Sequence, residues 1–318
     1  GSDEERNMVS MQSGDMANVF PVKKVTVPVD VEYVKKTMKF NPGDSIVNEL
    51  KLEIGKNYIQ KNDLALLSLI AANNWRRPLY FTSTSELRSL GLDKYLRMEG
   101  LAYRLIPVEN SVVENEISYK NVMEKFVYGN ANKKNVYFDE ENRRHLNSIK
   151  LAHATLAKNL INYNQLDSAK KILQKFDQMV SIENMPYGMT ANRGNFHNSI
   201  SMEFLEAAYR SGDLALARKV HGSLKKDLEQ QLNYYRSLGE DGMNNEQMAM
   251  QAAAILNNRA GVLSEKQTGF AYEIITSFQF LQQMAQWEIQ FKSGVQPTES
   301  PATLQNPGAP PADTPKKP

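Results

Sequence analysis

The hydrophobic periodicity of the chain changes near Asn115. Before that position, short apolar runs switch between the two-residue period of strands and the longer period of helices. After it, the strand signal almost disappears, and amphipathic stretches with helical spacing follow one another. A length of 318 residues fits two domains. We therefore predict an α+β protein in which a small mixed α/β domain, residues 19–114, precedes an α-helical domain, residues 115–292.

Several runs in the first part predict individual elements. Pro78–Thr82 and Gly100–Ile106 are short apolar runs bounded by chain breakers, a pattern typical of buried strands. Because consecutive strands often lie side by side, we expect these two runs to meet. Leu64, Leu69 and Ile70 belong to a stretch that is apolar nearly all round, which predicts a buried core helix.

Amphipathic stretches predict the helices of the second part, at 117–129, 140–163, 166–180, 197–211, 214–238, 245–258 and 267–291. Two helix starts share a local pattern, in which Leu166 and Ala169 correspond to Leu214 and Ala217, 48 residues later. In tetratricopeptide-type hairpins, a small residue at this position lets two helices approach closely. We therefore predict a tetratricopeptide-like repeat array with irregular units, in which Ala169 and Ala217 lie at helix crossings.

Both ends of the chain differ in composition from the rest. Residues 1–18 open with Gly1 and Ser2, which resemble a cloning remnant, and this range predicts a disordered or tag-derived leader. Residues 293–318 contain seven of the chain's 13 prolines and few apolar side chains, so they predict a disordered Pro-rich tail.

The composition argues against several classes of chemistry. Lys and Arg number 38 against 36 Asp and Glu, and the charges are interspersed, which argues against nucleic acid as a partner. The absence of cysteine excludes thiolate nucleophiles, disulfides and Cys-ligated metals. The four histidines are dispersed, and the sequence contains none of the standard phosphate-binding or nucleophile motifs. We expect no catalytic residue, no cofactor and no metal site in this chain.

One candidate cluster flanks the predicted strands: Trp75, Arg76, Arg77, Tyr80, Glu99, Tyr103 and Arg104. As a recognition site, its rings would stack on a sugar or partner while its arginines pair with phosphate or carboxylate. As a structural cluster, Trp75 would fill the core and the arginines would satisfy helix-end carbonyls or a buried acid such as Glu99. As an enzyme site, Arg76, Arg77, Glu99 and Arg104 would converge in an open pocket. The structural interpretation is favoured, because a charge beside a buried strand needs a partner.

A family resemblance rests on three segments, Lys61–Phe81, Gly91–Tyr95 and Glu99–Pro107. They resemble the C-terminal region of a bacterial family of polytopic membrane proteins, the domain of unknown function 2723, which is related to transmembrane protein O-mannosyltransferases. The resemblance covers residues 22–110, and the helical part is similar only in carrying tetratricopeptide-like units. In that family a multispanning N-terminal part is associated with glycosyltransferase chemistry, so no catalytic residue of the family can be placed on this chain.

The resemblance implies a non-catalytic, extracytoplasmic C-terminal domain of a membrane-embedded glycosyltransferase-like protein, which supports or recognises substrate or a partner protein. The implied partners are its own membrane-spanning N-terminal region and acceptor proteins or peptides. The implied location is the periplasmic face of the inner membrane, with the present chain soluble by itself. The alternative is a free-standing helical-repeat scaffold for protein interaction. Apolar spans encoded upstream of Gly1 would support the former, and a start codon near Met8 the latter.

A tripeptide in the first part is similar to an acceptor pattern for protein glycosylation. Asp44, Ser45 and Ile46 match the Asp-Ser/Thr-apolar pattern of a bacterial O-glycosylation system. The chemistry of residues 41–44 predicts an exposed turn there, so Ser45 is a candidate O-glycosylation acceptor.

Overall fold

The computed structural model describes residues 8–10, 14, 16–18, 22–56, 59–190, 194–239 and 242–292. The chain separates into two units, residues 1–126 and 127–318. The first unit combines small antiparallel sheets with short helices, and the second is helical, which confirms the predicted α+β class. The tetratricopeptide-like character of the helical unit stays a prediction. The predicted Pro-rich tail, residues 293–318, lies outside the described residues.

The strands of the first unit are β1 (Met8–Ser10), β2 (Met16–Asn18), β3 (Lys24–Pro28), β4 (Glu49–Glu53), β5 (Tyr80–Phe81), β6 (Leu96–Met98) and β7 (Tyr103–Leu105). Its helices are α1 (Val31–Thr37), α2 (Lys61–Asn73), α3 (Ser85–Arg88) and α4 (Asn115–Lys120). A 3₁₀ turn, Asp93–Tyr95, precedes β6, and a π-helical turn, Asn121–Lys125, continues α4. Strand β1 pairs with β2, β3 pairs with β4, and β7 lies between β5 and β6.

The pairing of β1 with β2 falls within the predicted leader. Val9 lies opposite Ala17 in an antiparallel ladder, and the intervening Gly14 has a φ of +85°, a conformation that glycine adopts readily. These six residues of the predicted leader therefore form a backbone ladder in the structure, while the disordered or tag-derived character of residues 1–18 stays a prediction. The leader residues other than 8–10, 14 and 16–18 lie outside the described residues.

The core of the first unit forms around β3 and β4. In their ladder Val27 lies opposite Leu50 and Val25 opposite Leu52. Leu50 and Leu52 are fully buried and pack in one cluster with Tyr95 of the 3₁₀ turn. The Tyr95 hydroxyl accepts the Lys51 backbone N–H at 2.8 Å and so fixes the turn against β4.

Helix α2 covers this core from one side. Ile70 is buried, but Leu64 and Leu69 are 43% and 54% exposed. The prediction of a core helix is therefore wrong, because among the described residues of so small a unit no further element covers the outer face of α2. The helix starts at a capping box, in which the Asp63 carboxylate accepts the Gln60 backbone N–H at 3.0 Å.

Helix α4 belongs to the first unit. The Ser118 hydroxyl accepts the Gly100 backbone N–H and donates to the Met98 carbonyl, both at 3.2 Å. These bonds attach α4 to the end of β6. The division between the units therefore follows Phe126 rather than the change in periodicity near Asn115.

The helices of the second unit are α5 (Glu140–Asn162), α6 (Leu166–Met179), α7 (Phe196–Arg210), α8 (Leu214–Ser237), α9 (Asn245–Leu256), α10 (Glu265–Thr268) and α11 (Ala271–Lys292). From α5 to α9, each helix begins and ends within two residues of its predicted bounds. Helix α5 packs against α6 and α7, α7 packs against α8, and α11 packs against α8 and α9.

The same turn closes two helices of this unit, α5 and α7. After α5, Asn164 has a φ of +58°, and after α7, Gly212 has a φ of +77°. The next residue in each case donates its N–H to a carbonyl five positions back, Gln165 to Leu160 at 2.8 Å and Asp213 to Ala208 at 3.0 Å. This is the hydrogen-bonding pattern of a Schellman motif. The 48-residue correspondence found in the sequence therefore extends to the backbone of the turns.

Large side chains at Ala169 or Ala217 should destabilise the helical unit. Both alanines are fully buried, so Ala169→Leu and Ala217→Leu should each cost about 1–3 kcal/mol through overpacking. Urea unfolding of the two variants measures this cost. Ala215→Leu is the matched control, because Ala215 is exposed on the first turn of α8. Unchanged stability of both buried variants would contradict close helix packing at these sites.

Candidate functional site

Trp75 anchors the start of the candidate cluster in the core. The residue follows α2 with a φ of +63° and is 6% exposed. Its indole N–H donates to the Pro28 carbonyl at 2.9 Å. The ring therefore fixes the end of α2 to the end of β3, as the structural interpretation of Trp75 expects.

The two arginines after Trp75 lie apart from Glu99. Arg76 pairs with Asp30 at 3.3 Å, and its guanidinium lies 4.1 Å from the centre of the Tyr33 ring, within the range of a cation–π interaction. The side chain of Arg77 is exposed, while its backbone exchanges two hydrogen bonds with Asn73. The structure therefore does not bring Arg76 and Arg77 to the carboxylate with which the enzyme interpretation combines them.

The strand runs around Tyr80 and Arg104 meet, as the sequence predicts. Tyr80 lies opposite Arg104, and Phe81 opposite Tyr103, in the ladder of β5 with β7. On the other side of β7, Arg97 of β6 lies opposite Arg104. Two like charges facing each other across strands are unfavourable unless a counter-charge lies between them.

Glu99 supplies that counter-charge. One carboxylate oxygen lies 3.1 Å from Arg97 Nη2 and 3.6 Å from Arg104 Nη1. The other oxygen accepts the Tyr80 hydroxyl at 2.6 Å. The side chain of Glu99 is only 2% exposed and that of Arg97 is fully buried. Both carboxylate oxygens are therefore engaged inside the unit.

Arg97 is the centre of the cluster, although the sequence analysis does not select it. Its guanidinium also pairs with Asp44 at 3.4 Å and donates to the Lys39 carbonyl at 2.9 Å. These contacts fasten the turn that contains Asp44 to the three-stranded sheet. Arg97 could have been noticed as a charged residue inside the apolar run Tyr95–Met98. Strand β6 has only three residues, however, which is too short for its alternating pattern to be recognised in the sequence.

The phenols of the cluster stay protonated near neutral pH. Burial and the hydrogen bond to Glu99 raise the pKa of Tyr80 above its ordinary value of 10.0, and burial raises the pKa of Tyr103. Tyr80 is nevertheless 50% exposed. The cluster is thus a buried ion-pair network with a half-exposed tyrosine at its edge, which suits a scaffold better than acid–base chemistry.

Ser45 lies in the turn that Arg97 holds. The serine is exposed, as the turn chemistry predicts. Its neighbour Asp44 points inward, because the Asp44 carboxylate pairs with Arg97 and accepts the Asn41 backbone N–H at 2.7 Å. The role of Ser45 as an acceptor stays a prediction.

A second polar cluster lies in the helical unit, between α5 and α7. Lys150 is 1% exposed and donates to the Ser201 hydroxyl at 2.6 Å, which in turn donates to the Tyr187 carbonyl at 2.6 Å. Burial lowers the pKa of Lys150 to about 7. Burial, and then the nearby charge of Lys150, lower the pKa of His197 to about 4. Serine and lysine form nucleophile–base pairs in some hydrolases, but Ser201 is fully buried and offers no access to a substrate.

Sequence reasoning missed Lys150, although the pattern of α5 contains a signal. The residue lies four positions after Leu146, on the stripe that continues through His153 and Leu160, and all of these are buried. A lysine on the apolar stripe of an amphipathic helix needs an explanation. His153 itself is satisfied, because its ring nitrogens contact the Tyr128 hydroxyl at 2.9 Å and the Ile149 carbonyl at 2.8 Å.

The residues that the structure describes form neither a metal-binding cluster nor a membrane-spanning helix. Among them, no three His, Asp or Glu side chains come together in a way that would hold a metal ion. Over the same residues, no helix is both long enough and apolar enough to cross a bilayer.

Comparisons with known proteins concern the first unit. Neither the curated proteins nor the solved structures contain a match to this chain. Residues 1–126 match the family model of the TMEM260-associated domain 2, so the unit that holds the Arg97–Glu99 cluster is similar to that domain.

Proposed function

We propose that this chain is a non-catalytic, extracytoplasmic part of a membrane-embedded glycosyltransferase-related protein, and that it supports or recognises a substrate or partner protein. The observation that carries the proposal is the match of residues 1–126 to the TMEM260-associated domain 2. The resemblance of Lys61–Phe81 and Glu99–Pro107 to the polytopic family supports the same relation from individual residues.

The geometry of the first unit supports a non-catalytic role. Arg97, Glu99 and Asp44 neutralise one another with side chains that are at most 7% exposed. A catalytic carboxylate needs contact with the reacting atoms, whereas both oxygens of Glu99 are engaged by protein groups. In this proposal the cluster of Arg97, Glu99 and Asp44 stabilises the first unit, and the helical unit provides a binding surface for a partner.

Cell fractionation tests the membrane relation. An antibody raised against the purified chain should detect a product that sediments with membranes and resists a carbonate wash. Protease added to spheroplasts should cleave this region, because we place it on the periplasmic face. Recovery of the antigen in the wash, or its protection in intact spheroplasts, would overturn the proposal. A carbonate-extractable product would favour the free-standing helical scaffold instead.

Sugar transfer tests the non-catalytic part of the proposal. The purified chain, incubated with a polyprenyl-linked sugar donor and an acceptor peptide, should yield no glycosylated product above a heat-denatured control. The solubilised full-length protein serves as the matched sample that retains the membrane part. Turnover by the purified chain alone would show that the chemistry resides in residues 1–318.

A further inference from the structure

The helical unit contains an open groove that the proposed function does not yet assign. Helix α8 forms one wall and the segment between α6 and α7 forms the other, and together they enclose about 610 Å³. Along α8 the groove extends from Arg218 to Gln230. At 1.5 Å per helical residue this length is about 18 Å.

Two glycines shape the groove in opposite ways. The Gly188 N–H donates to the Ser223 hydroxyl at 2.9 Å, and a Cβ atom at Gly188 would lie only 2.2 Å from the Ser223 carbonyl oxygen. The segment containing Gly188 therefore lies in direct contact with α8. Gly222, in contrast, faces open space, with no atom within 4 Å of the position of a Cβ. Space for a ligand side chain is therefore open beside Gly222.

Cations flank the open position on the α8 wall. Arg218 and Lys226 lie four residues before and after Gly222, which places all three on one face of the helix. Both side chains are exposed, and the described residues contain no ion-pair partner for either. Lys219, the third cation of the groove, pairs with Asp177 at 2.6 Å.

The acid in the groove is already engaged. The Asp227 carboxylate accepts the Asn198 amide at 2.7 Å, the Gln231 amide at 2.8 Å and the Thr190 hydroxyl at 3.1 Å. These bonds turn Asp227 toward α7 and the neighbouring segment and leave Arg218 and Lys226 to face the groove. The opposite wall is apolar, with Pro186 and a 40% exposed Ile182.

We propose that this groove binds an extended acidic peptide segment of a partner protein. A length of about 18 Å accommodates roughly five extended residues at about 3.4 Å each. The backbone positions of Arg218 and Lys226 lie about 12 Å apart along the helix, a spacing that suits two anionic groups on one extended ligand. Two carboxylates three or four residues apart would match this spacing, while an apolar side chain between them contacts Ile182. The inference rests on the proposed function and names the partner class.

Fluorescence anisotropy with the full chain tests the proposal. The probe is a fluorescein-labelled peptide of sequence Gly-Glu-Leu-Ser-Glu-Leu-Gly, and the comparison probe carries lysine in place of both glutamates. The double variant Arg218→Gln/Lys226→Gln should bind the acidic probe about tenfold more weakly than the unaltered chain at low salt. The control variant Lys171→Gln/Lys225→Gln removes the same charge from exposed positions outside the groove. Its affinity should change less than about twofold.

A third variant tests the groove without altering charge. Gly222→Leu fills the open position between the cations and should weaken binding about fivefold or more. The thermal midpoint of the chain should not fall, since a Cβ at this position meets no neighbour and leucine favours a helix more than glycine does.

Three results would overturn the proposal: equal loss of binding in the two double variants, preference for the lysine probe, or Arg218-dependent binding to phosphatidylglycerol vesicles in place of the peptide. The peptide assay uses purified chain, so a negative result there would not affect the conclusion from membrane fractionation. A negative fractionation result would likewise leave the peptide-binding measurement valid.

Discussion

Lys150→Met should raise the free energy of unfolding of the helical unit at pH 6.5 by about 3 kcal/mol. At this pH Lys150 is charged in both states, and its burial without a carboxylate partner opposes folding. The difference between its ordinary pKa of 10.5 and the lowered pKa of about 7 corresponds to roughly 5 kcal/mol. Loss of the hydrogen bond to Ser201 offsets about 1 kcal/mol or more of the gain.

The same group gives the unaltered protein a characteristic pH dependence. Between about pH 7 and 10.5, the unfolded chain holds a proton on Lys150 that the folded chain has released. Unfolding free energy therefore rises with pH across that window. His153 and His197, with pKa values lowered to about 4, act in the same direction but only below 6.5, the ordinary pKa of histidine. Measurements above pH 6.5 consequently separate the contribution of the lysine from that of the two histidines.

Urea titrations between pH 6.5 and 10 measure this effect. The chain has two tryptophans, Trp75 in the first unit and Trp287 in the second, so a Trp75→Phe background reports the helical unit through Trp287 alone. Lys171→Met, at an exposed lysine of α6, is the matched control and should leave the pH profile unchanged. The gain from Lys150→Met should shrink toward pH 10. Parallel profiles for the unaltered protein and Lys150→Met would contradict a buried, charged lysine.

Glu99→Gln should cost the first unit about 3–5 kcal/mol. The substitution keeps the shape of the side chain but removes the charge between Arg97 and Arg104, which face each other across the ladder of β6 and β7. Removing one partner from a buried ion pair leaves an uncompensated charge. Arg97 retains Asp44 at 3.4 Å, which holds the loss within this range.

A double-mutant cycle identifies the source of that cost. Arg104→Met removes one of the two facing cations, so the pair Glu99→Gln/Arg104→Met should cost about 1–3 kcal/mol less than the sum of the single variants. A Trp287→Phe background lets Trp75 report the first unit. Glu49→Gln, whose partner Lys51 lies 3.8 Å away on the solvent-facing side of β4, should cost less than about 1 kcal/mol. Small and strictly additive effects at Glu99 and Arg104 would rule out the buried network.

The sequence predicts the long helices accurately and the small sheets only in part. Helices α5 to α8 repeat an amphipathic period over at least three turns, which averages out individual exceptions. Strand β5 has two residues and β6 has three, too few to show a period. The exposure of the outer face of α2 could not be predicted from the sequence either, because it depends on how many elements surround the helix.

The candidate site follows the same division. The partner of Glu99 could be predicted in kind, because a charge beside an apolar strand needs a counter-charge, and Arg104 is indeed one of its partners. The identity of the central cation, Arg97, could not be predicted. Arg97 comes close to Glu99 and Arg104 because of the register between β6 and β7, which only the structure shows. The groove beside Gly222 likewise depends on a loop path that no local pattern encodes.

The ion pair between Asp44 and Arg97 also sets an order of events during biosynthesis. Arg97 is 53 residues farther along the chain than Asp44, so the carboxylate of Asp44 lacks its cationic partner until that later segment has been translated and has folded back. An enzyme that reads the Asp44 carboxylate together with the Ser45 hydroxyl would find both groups accessible only in the nascent or unfolded chain. Attachment of a sugar at Ser45 would thus precede folding of the first unit, and the mature protein would be a much poorer acceptor than its own precursor.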